Sequence, residues 1–231
     1  MVISNSRKFV FVHTPKTGGT SMTYALQEVI GWNDIVCGGT RYGRRLKDVW
    51  GEKWGIGKHA PATEIRSLIG RDRWEQYFTF ALVRHPIERA RSMYQWTKRI
   101  VERQGWRRWA RFILSRYQQD LWKWPTVAAY LDTDGFSGYI RHPRFEEARI
   151  SNSQHWYLSG NADEEIIVDQ VYSIENLDSE IDKIAEKIDA DLKKEKRNVS
   201  SYDNSRKICS IDKDYLEKMY KKDFDLVGVR P

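Results

Sequence analysis

One stretch, KFVFVHTPKTGGTSM from Lys8 to Met22, constrains the fold of this chain more than any other. Lys8 to Thr14 is a short run of β-branched and aromatic residues with weak alternation, the pattern of a strand buried in a parallel sheet. From Thr20 onward Met22, Ala25, Leu26 and Val29 return every three or four residues, which is the period of a helix. Between the two lie a proline, a lysine and paired glycines. Glycine lets backbone N–H groups turn toward an anion, a helix start adds partial positive charge, and Lys16 adds a full one. Pro15, Lys16, Thr17, Gly18, Gly19, Thr20 and Ser21 are therefore expected to cradle a phosphate or sulfate, with an ordinary βα turn as the alternative reading.

The remainder repeats the theme. Tyr77 to Val83, YFTFALV, is the most strand-like segment, closed by Arg84-His85-Pro86 before a helix with Ile87, Ala90, Tyr94 and Val101 on one face. Pro61 suits a first helical position, with Ala62, Ile65, Leu68 and Ile69 on one face. Ile166 to Ile174 reads as a buried strand, Leu177 to Ile188 as an amphipathic helix, and Asp212 to Tyr220 as a last helix. Helical patterns run from Trp106 to Leu131. Residues 38 to 58 hold Gly38, Gly39, Gly43, Gly51, Gly55 and Gly57 among basic and aromatic residues and read as an irregular surface excursion. Strands alternating with helices imply an α/β fold of the P-loop type: a three-layer sandwich with a central parallel sheet flanked by helices, in one domain over 1–231.

Charge and cysteine content narrow the function classes. A net charge of +7 favours an anionic ligand such as a nucleotide, an acidic glycan or nucleic acid. Cys37 and Cys209 are the chain's two cysteines, and neither CxxC nor a Cys/His cluster occurs, so no metal site is expected. No run approaches the ~18 apolar residues of a membrane span, and the start lacks a cleavable signal pattern. The expectation is a cytoplasmic protein with no membrane span.

The order Pro-Lys-Thr-Gly-Gly-Thr-Ser is not a Walker A loop, because GxxxxGK[ST] puts its lysine after the glycines and Lys16 precedes Gly18. It resembles the 5′-phosphosulfate loop of sulfotransferases that use 3′-phosphoadenosine 5′-phosphosulfate (PAPS), nearest the group related to heparan sulfate 2-O- and 6-O-sulfotransferases. RHPIERARSMY resembles that family's 3′-phosphate pattern at Arg84, Pro86, Arg89, Ser92 and Tyr94. NSQHWYLSG at Asn152 to Gly160, Glu175-Asn176-Leu177 and the closing YKKDFDLVG are similar to family segments in the same order. His85 departs from the usual Asn or Asp, and the membrane anchor of the Golgi enzymes is missing.

The resemblance implies PAPS as donor and a carbohydrate or small-metabolite hydroxyl or amine as acceptor, in a soluble form of the enzyme. Lys16 would stabilise the leaving phosphate, and Arg84 and Ser92 would hold the 3′-phosphate. Lys196 and Arg197 lie where the family closes a late basic loop over the nucleotide. Imidazole titrates near neutrality, and His59 in GKHAPATEIR sits where relatives carry a catalytic histidine, so it is the expected general base. A capping role at Pro61, or His155 or Glu64 as base, stands as the alternative. His13 reads as a packing or loop-orienting residue. Two other classes remain open: a P-loop-type nucleotide kinase, and a basic module for single-stranded nucleic acid using the Trp/Arg segment from Arg103 to Arg116.

Overall fold

The chain enters its sheet through a hairpin in which β1 (Val2–Ser4) runs antiparallel to β2 (Phe9–Val12), pairing Val2 with Phe11 and Ser4 with Phe9. Asp34 holds the connecting turn. Its carboxylate accepts hydrogen bonds from the Ser4 and Ser6 hydroxyls (2.7 and 2.6 Å) and from the Asn5, Ser6 and Gly31 amides (2.7, 3.0 and 2.9 Å). α1 (Gly19–Gln27) follows β2, and β3 (Ile35–Val36) then returns to the outer side of β1, again antiparallel. α2 (Arg41–Trp54), α3 (Ala62–Ile69) and α4 (Arg71–Gln76) lead into β4 (Phe78–Val83), which lies parallel to β2 with Phe9 opposite Phe78 and Val12 opposite Ala81. β5 (Gln170–Ser173) adds a further parallel strand, so the order across the five-stranded sheet is β3-β1-β2-β4-β5.

The computed structural model describes residues 1–103, 124–159, 165–193 and 208–228. By internal contacts the chain divides into two units: Met1–His85 with Ser153–Arg206 and Met219–Pro231, and Pro86–Asn152 with Lys207–Lys218. The sheet belongs to the first. Successive strand side chains point to opposite faces, so this unit has two cores. Val10, Val12, Ala81 and Val83 face α3 and α4 through Ala62, Ile65 and Trp74, joined by Leu158 of α9 (Gln154–Ser159) and Leu226 of α12 (Lys221–Leu226). Phe9, Phe11, Phe80 and Leu82 face Met22, Ala25 and Leu26 of α1 and Ile181 and Ile184 of α10 (Leu177–Lys187). The expected α/β class with helices on both faces is present. The sheet is mixed rather than wholly parallel, because the short strand before Lys8 pairs antiparallel.

The second unit is helical, with α5 (Pro86–Arg103), α6 (Pro125–Leu131), α7 (Gly135–Arg141), α8 (Pro143–Glu147) and α11 (Ser210–Met219). Ala90, Met93, Val127, Ala129, Tyr139, Ile140 and Phe145 are among its buried apolar residues. Arg89 is 0% exposed and donates through Nη2 to the Ile150 and Asn152 carbonyls, both at 2.8 Å. This arginine of the phosphate-like pattern thus fastens a turn of its own unit. Asp212 accepts from Ser137 Oγ (2.8 Å) and pairs with Arg141. Trp106, Trp109 and Trp122, and most of the expected helical run from Trp106, lie outside the described residues; Trp124 is exposed and stacks on Trp96 (6.1 Å).

Residues 38 to 58 differ most from expectation. The segment forms a 14-residue helix, α2, in which Thr40 Oγ1 caps the start by accepting from Gly43 N (3.0 Å) and Gly55 ends the helix in the left-handed region (φ +64). Gly43 is there for space: a Cβ would lie 2.4 Å from the Gly38 carbonyl. No helix among the described residues is long and apolar enough to cross a membrane.

Candidate active site

β2 and β4 are neighbours in parallel register, so the segments after their C-terminal ends emerge together at one sheet edge, about one strand spacing (~4.8 Å) apart. That edge is where open α/β sheets bind ligands. From β2 comes the loop His13 to Gly18, and from β4 comes Arg84.

The loop is tied to β4 from beneath. Buried Thr14 donates through Oγ1 to the Leu82 carbonyl (2.5 Å), and Thr17 Oγ1 lies 2.8 Å from Thr14 Oγ1 and 3.1 Å from the Thr14 carbonyl. Lys16 and Gly18 both take left-handed backbone, with φ +68 and +76. Such alternation makes consecutive amides converge on one concave point, the arrangement called a nest. A left-handed non-glycine residue costs about 1 kcal/mol or more, which marks Lys16 as held in place by its surroundings. At Gly18 a Cβ would lie 2.3 Å from Ile174 Cδ1, and at Gly19 it would lie 2.3 Å from the His13 ring. Left-handed backbone calls for glycine at Gly18 and the buried His13 ring for glycine at Gly19, and α1 begins directly at Gly19 with Gly18 as its cap. A nest, a nine-residue helix start and a lysine in one loop match the chemistry of a phosphate or phosphosulfate group.

His59 stands against this loop. Its Nδ1 lies 2.7 Å from the His13 carbonyl oxygen, and the two imidazoles meet edge to face at 4.7 Å. A carbonyl only accepts, so Nδ1 carries the proton and Nε2 carries the lone pair. Burial, and then the Lys58 charge, push the His59 pKa down to about 3, against the opposing effect of the His13 bond. The ring is therefore neutral at pH 7, the form that accepts a proton. Pro61 occupies the α3 cap position with no side-chain cap bond, and His59 is committed to His13 instead of the helix. His13 is buried at 2% exposure, with its pKa driven well below normal by burial and then by the charge of Lys58.

Arg84 is gripped by its main chain. Gln154 Oε1 accepts from the Arg84 amide (2.7 Å) while Gln154 Nε2 donates to the Arg84 carbonyl (2.8 Å). Asp223 in turn caps α9, accepting from the Gln154 and His155 amides at 2.8 and 2.9 Å. Both Gln154 and Asp223 are 0% exposed. The His85 amide donates to Glu175 Oε1 (3.0 Å), and the His85 ring meets Phe224 edge to face at 5.4 Å. The later segments noted in the sequence thus converge on the end of β4. Contacts across about 70 residues carry no local signal in sequence, so Gln154 and Asp223 were not singled out as site residues.

Lys58 was also missed. It lies immediately before His59, and its Nζ donates to Thr20 Oγ1 of the loop (3.3 Å). Its adjacency to His59 was the available clue. The remaining expected residues fall elsewhere: Ser92 lies on α5 of the second unit, and Lys196 and Arg197 lie outside the described residues. Glu64 is exposed and, with Trp54, Ile56, Thr63, Ser67 and Leu68, lines a cavity of about 440 Å³ between the end of α2 and α3.

Comparison with known protein families matches residues 1–228 to a model of the sulfotransferase family. Curated proteins and solved structures give no match.

Proposed function

We propose that this chain, which belongs to the sulfotransferase family, moves the sulfuryl group of PAPS to a hydroxyl or amine of a carbohydrate or small-metabolite acceptor, acting as one catalytic domain over 1–231. The observation that supports this best is the pair of anion-directed segments at one sheet edge, Pro15 to Ser21 and Arg84, with neutral His59 against the first. Two such segments on adjacent strands suit a nucleotide phosphorylated at both ends. A kinase reading lacks a lysine after the glycines, and nothing in the described residues favours it.

In the transfer the acceptor oxygen forms a bond to sulfur as the bond from sulfur to the bridging phosphate oxygen breaks, and the electron pair leaves on the phosphate. Amides of Thr17, Gly18, Gly19 and Thr20 hold the 5′ end with Pro15 shaping the turn, Ser21, whose amide donates to the Gly18 carbonyl, joins through its side chain, and Lys16 meets the charge that develops on the leaving phosphate. His59 takes the acceptor proton at Nε2, which its bond to His13 leaves as the basic nitrogen. Its low pKa reflects burial first and the Lys58 charge second, and a bound anion that neutralises that charge would raise its basicity. Arg84 offers a bidentate fork to the 3′-phosphate, its base fixed by Gln154. Ser92, Lys196 and Arg197 join the donor site by the family pattern alone. The cavity lined by Trp54, Thr63, Glu64 and Ser67 pairs an aromatic face with hydroxyl and carboxylate groups and suits a polyhydroxylated acceptor.

The test is a thermal-shift comparison of adenosine 3′,5′-bisphosphate (PAP), ATP and buffer, because a ligand that binds only the folded state raises the melting temperature. PAP is expected to stabilise. Stabilisation by ATP and not by PAP refutes the assignment.

A further inference from the structure

Lys58 is a half-buried lysine whose stem is laid down deliberately. A Cβ at Gly38 would lie 2.8 Å from both Lys58 Cγ and Cδ, so the glycine there, with φ +70, is the floor over which the side chain runs. The stem ends with Nζ donating to Thr20 Oγ1 at the first turn of α1. From the other side the Met1 main-chain nitrogen bonds the Lys58 carbonyl (2.9 Å), fixing the backbone beneath. An ammonium group can donate three hydrogen bonds, and one neutral hydroxyl is a poor return for desolvating it. Among the described residues no carboxylate pairs with Lys58, and the ionisable groups around it are Arg44 of α2, the Met1 amino group and the imidazoles of His59 and His13, beside the thiol of Cys37. A half-buried cation beside a second cation, at the helix start that follows a nest of amides, is an arrangement that an anion completes.

We propose that Lys58 is a second cation of the 5′ end of the donor site, contacting the phosphosulfate directly from its place beside Thr20 at the start of α1. This inference rests on the donor reading above. Burial, and then the neighbouring Arg44 charge, lower the Lys58 pKa to about 8, so the cation is lost as pH rises through that value. A bound dianion favours the protonated lysine, hence donor affinity falls above pH 8. The nucleotide phosphates are already ionised above pH 7, with second pKa values near ~6, and do not titrate in that window.

The experiment is isothermal titration of wild type, Lys58→Met and Lys58→Arg with two probes, PAP and adenosine 3′-phosphate, from pH 7 to about 9.5. Charge-assisted contacts imply that Lys58→Met weakens PAP about 10- to 100-fold at pH 7, while adenosine 3′-phosphate, which has no 5′ phosphate, changes by less than about 2-fold. Retained binding of the second probe also shows that the variant folds. Wild-type affinity for PAP should fall across pH 8 and that of Lys58→Arg should stay level, because arginine does not titrate there. The pH comparison stands even if Lys58→Met fails to fold. Equal PAP affinity in wild type and Lys58→Met, or equal loss for both probes, overturns the proposal. A wild type that binds neither probe overturns the donor reading itself.

Discussion

Replacing Gln154 with leucine tests how the end of β4 is held. The swap keeps the side-chain volume, fills the same 0%-exposed site and deletes both bonds to Arg84, the 2.7 Å acceptance from its amide and the 2.8 Å donation to its carbonyl. Leaving a buried backbone donor or acceptor unpaired costs ~1–3 kcal/mol per group. Two groups would cost ~2–6 kcal/mol, and because Arg84 is half-buried, so that water reaches part of the gap, we expect ~2–4 kcal/mol. With a urea m-value of ~1–3 kcal/mol/M, the denaturation midpoint followed by circular dichroism should fall by ~1–2 M with m unchanged. A fall of under ~0.3 M would show that the Arg84 main chain finds water instead. The sharper variant is Gln154→Glu, which keeps the shape but turns an oxygen toward the Arg84 carbonyl and toward Asp223 Oδ2, 3.4 Å from the present Nε2. It should cost more than the leucine, and Asp223→Asn in the same chain should recover part of the loss. A double variant no better than the single one refutes the coupling.

His59→Ala is expected to retain PAP affinity while transfer falls by ~10²- to 10⁴-fold; normal turnover places the base elsewhere. Gly19→Ala puts a methyl within 2.3 Å of the His13 ring and should cost ~1–3 kcal/mol, with weaker PAP binding, read by thermal melting and titration. An unchanged melting temperature would show that His13 moves aside freely. For Asp34, burial raises the carboxyl pKa but hydrogen bonds led by Ser6 outweigh it, leaving the folded value below 3.8. A depressed pKa contributes stability that is fully present above the unfolded value and lost as pH falls through the folded one. The stability gap between wild type and Asp34→Asn should therefore be constant above about pH 5 and narrow as pH falls below 3.8; a gap that does not narrow at all on acidification refutes the role of ionisation.

Local patterns made much of the architecture readable. β2, α1 and β4 announce themselves because burial on a sheet face and on a helix stripe leaves a period of two or of three to four. The geometry of the loop after β2 was legible for the same reason, since Gly18 and Gly19 shape it where they stand in the chain. α2 was not, because glycine was read as flexibility, while Gly43 is a close-packing residue and Gly55 a helix stop. β1 was hidden by its three-residue length and by pairing that depends on Asp34, thirty residues on. Gln154 and Asp223 were out of reach because each works through a partner distant in sequence, and Lys58, whose contact to Thr20 is equally distant, was signalled only by its place beside His59.

His13 belongs to both halves of the site. Its ring sets the space available at Gly19, and its carbonyl aims the imidazole of His59. A change that reshapes the loop therefore also turns the His59 imidazole. On the proposed reading, new acceptors are more readily accommodated from the α2 and α3 side, where Trp54, Glu64 and Ser67 line an open cavity. Selection or engineering for altered acceptor range should accumulate there and leave residues 13 to 21 unaltered.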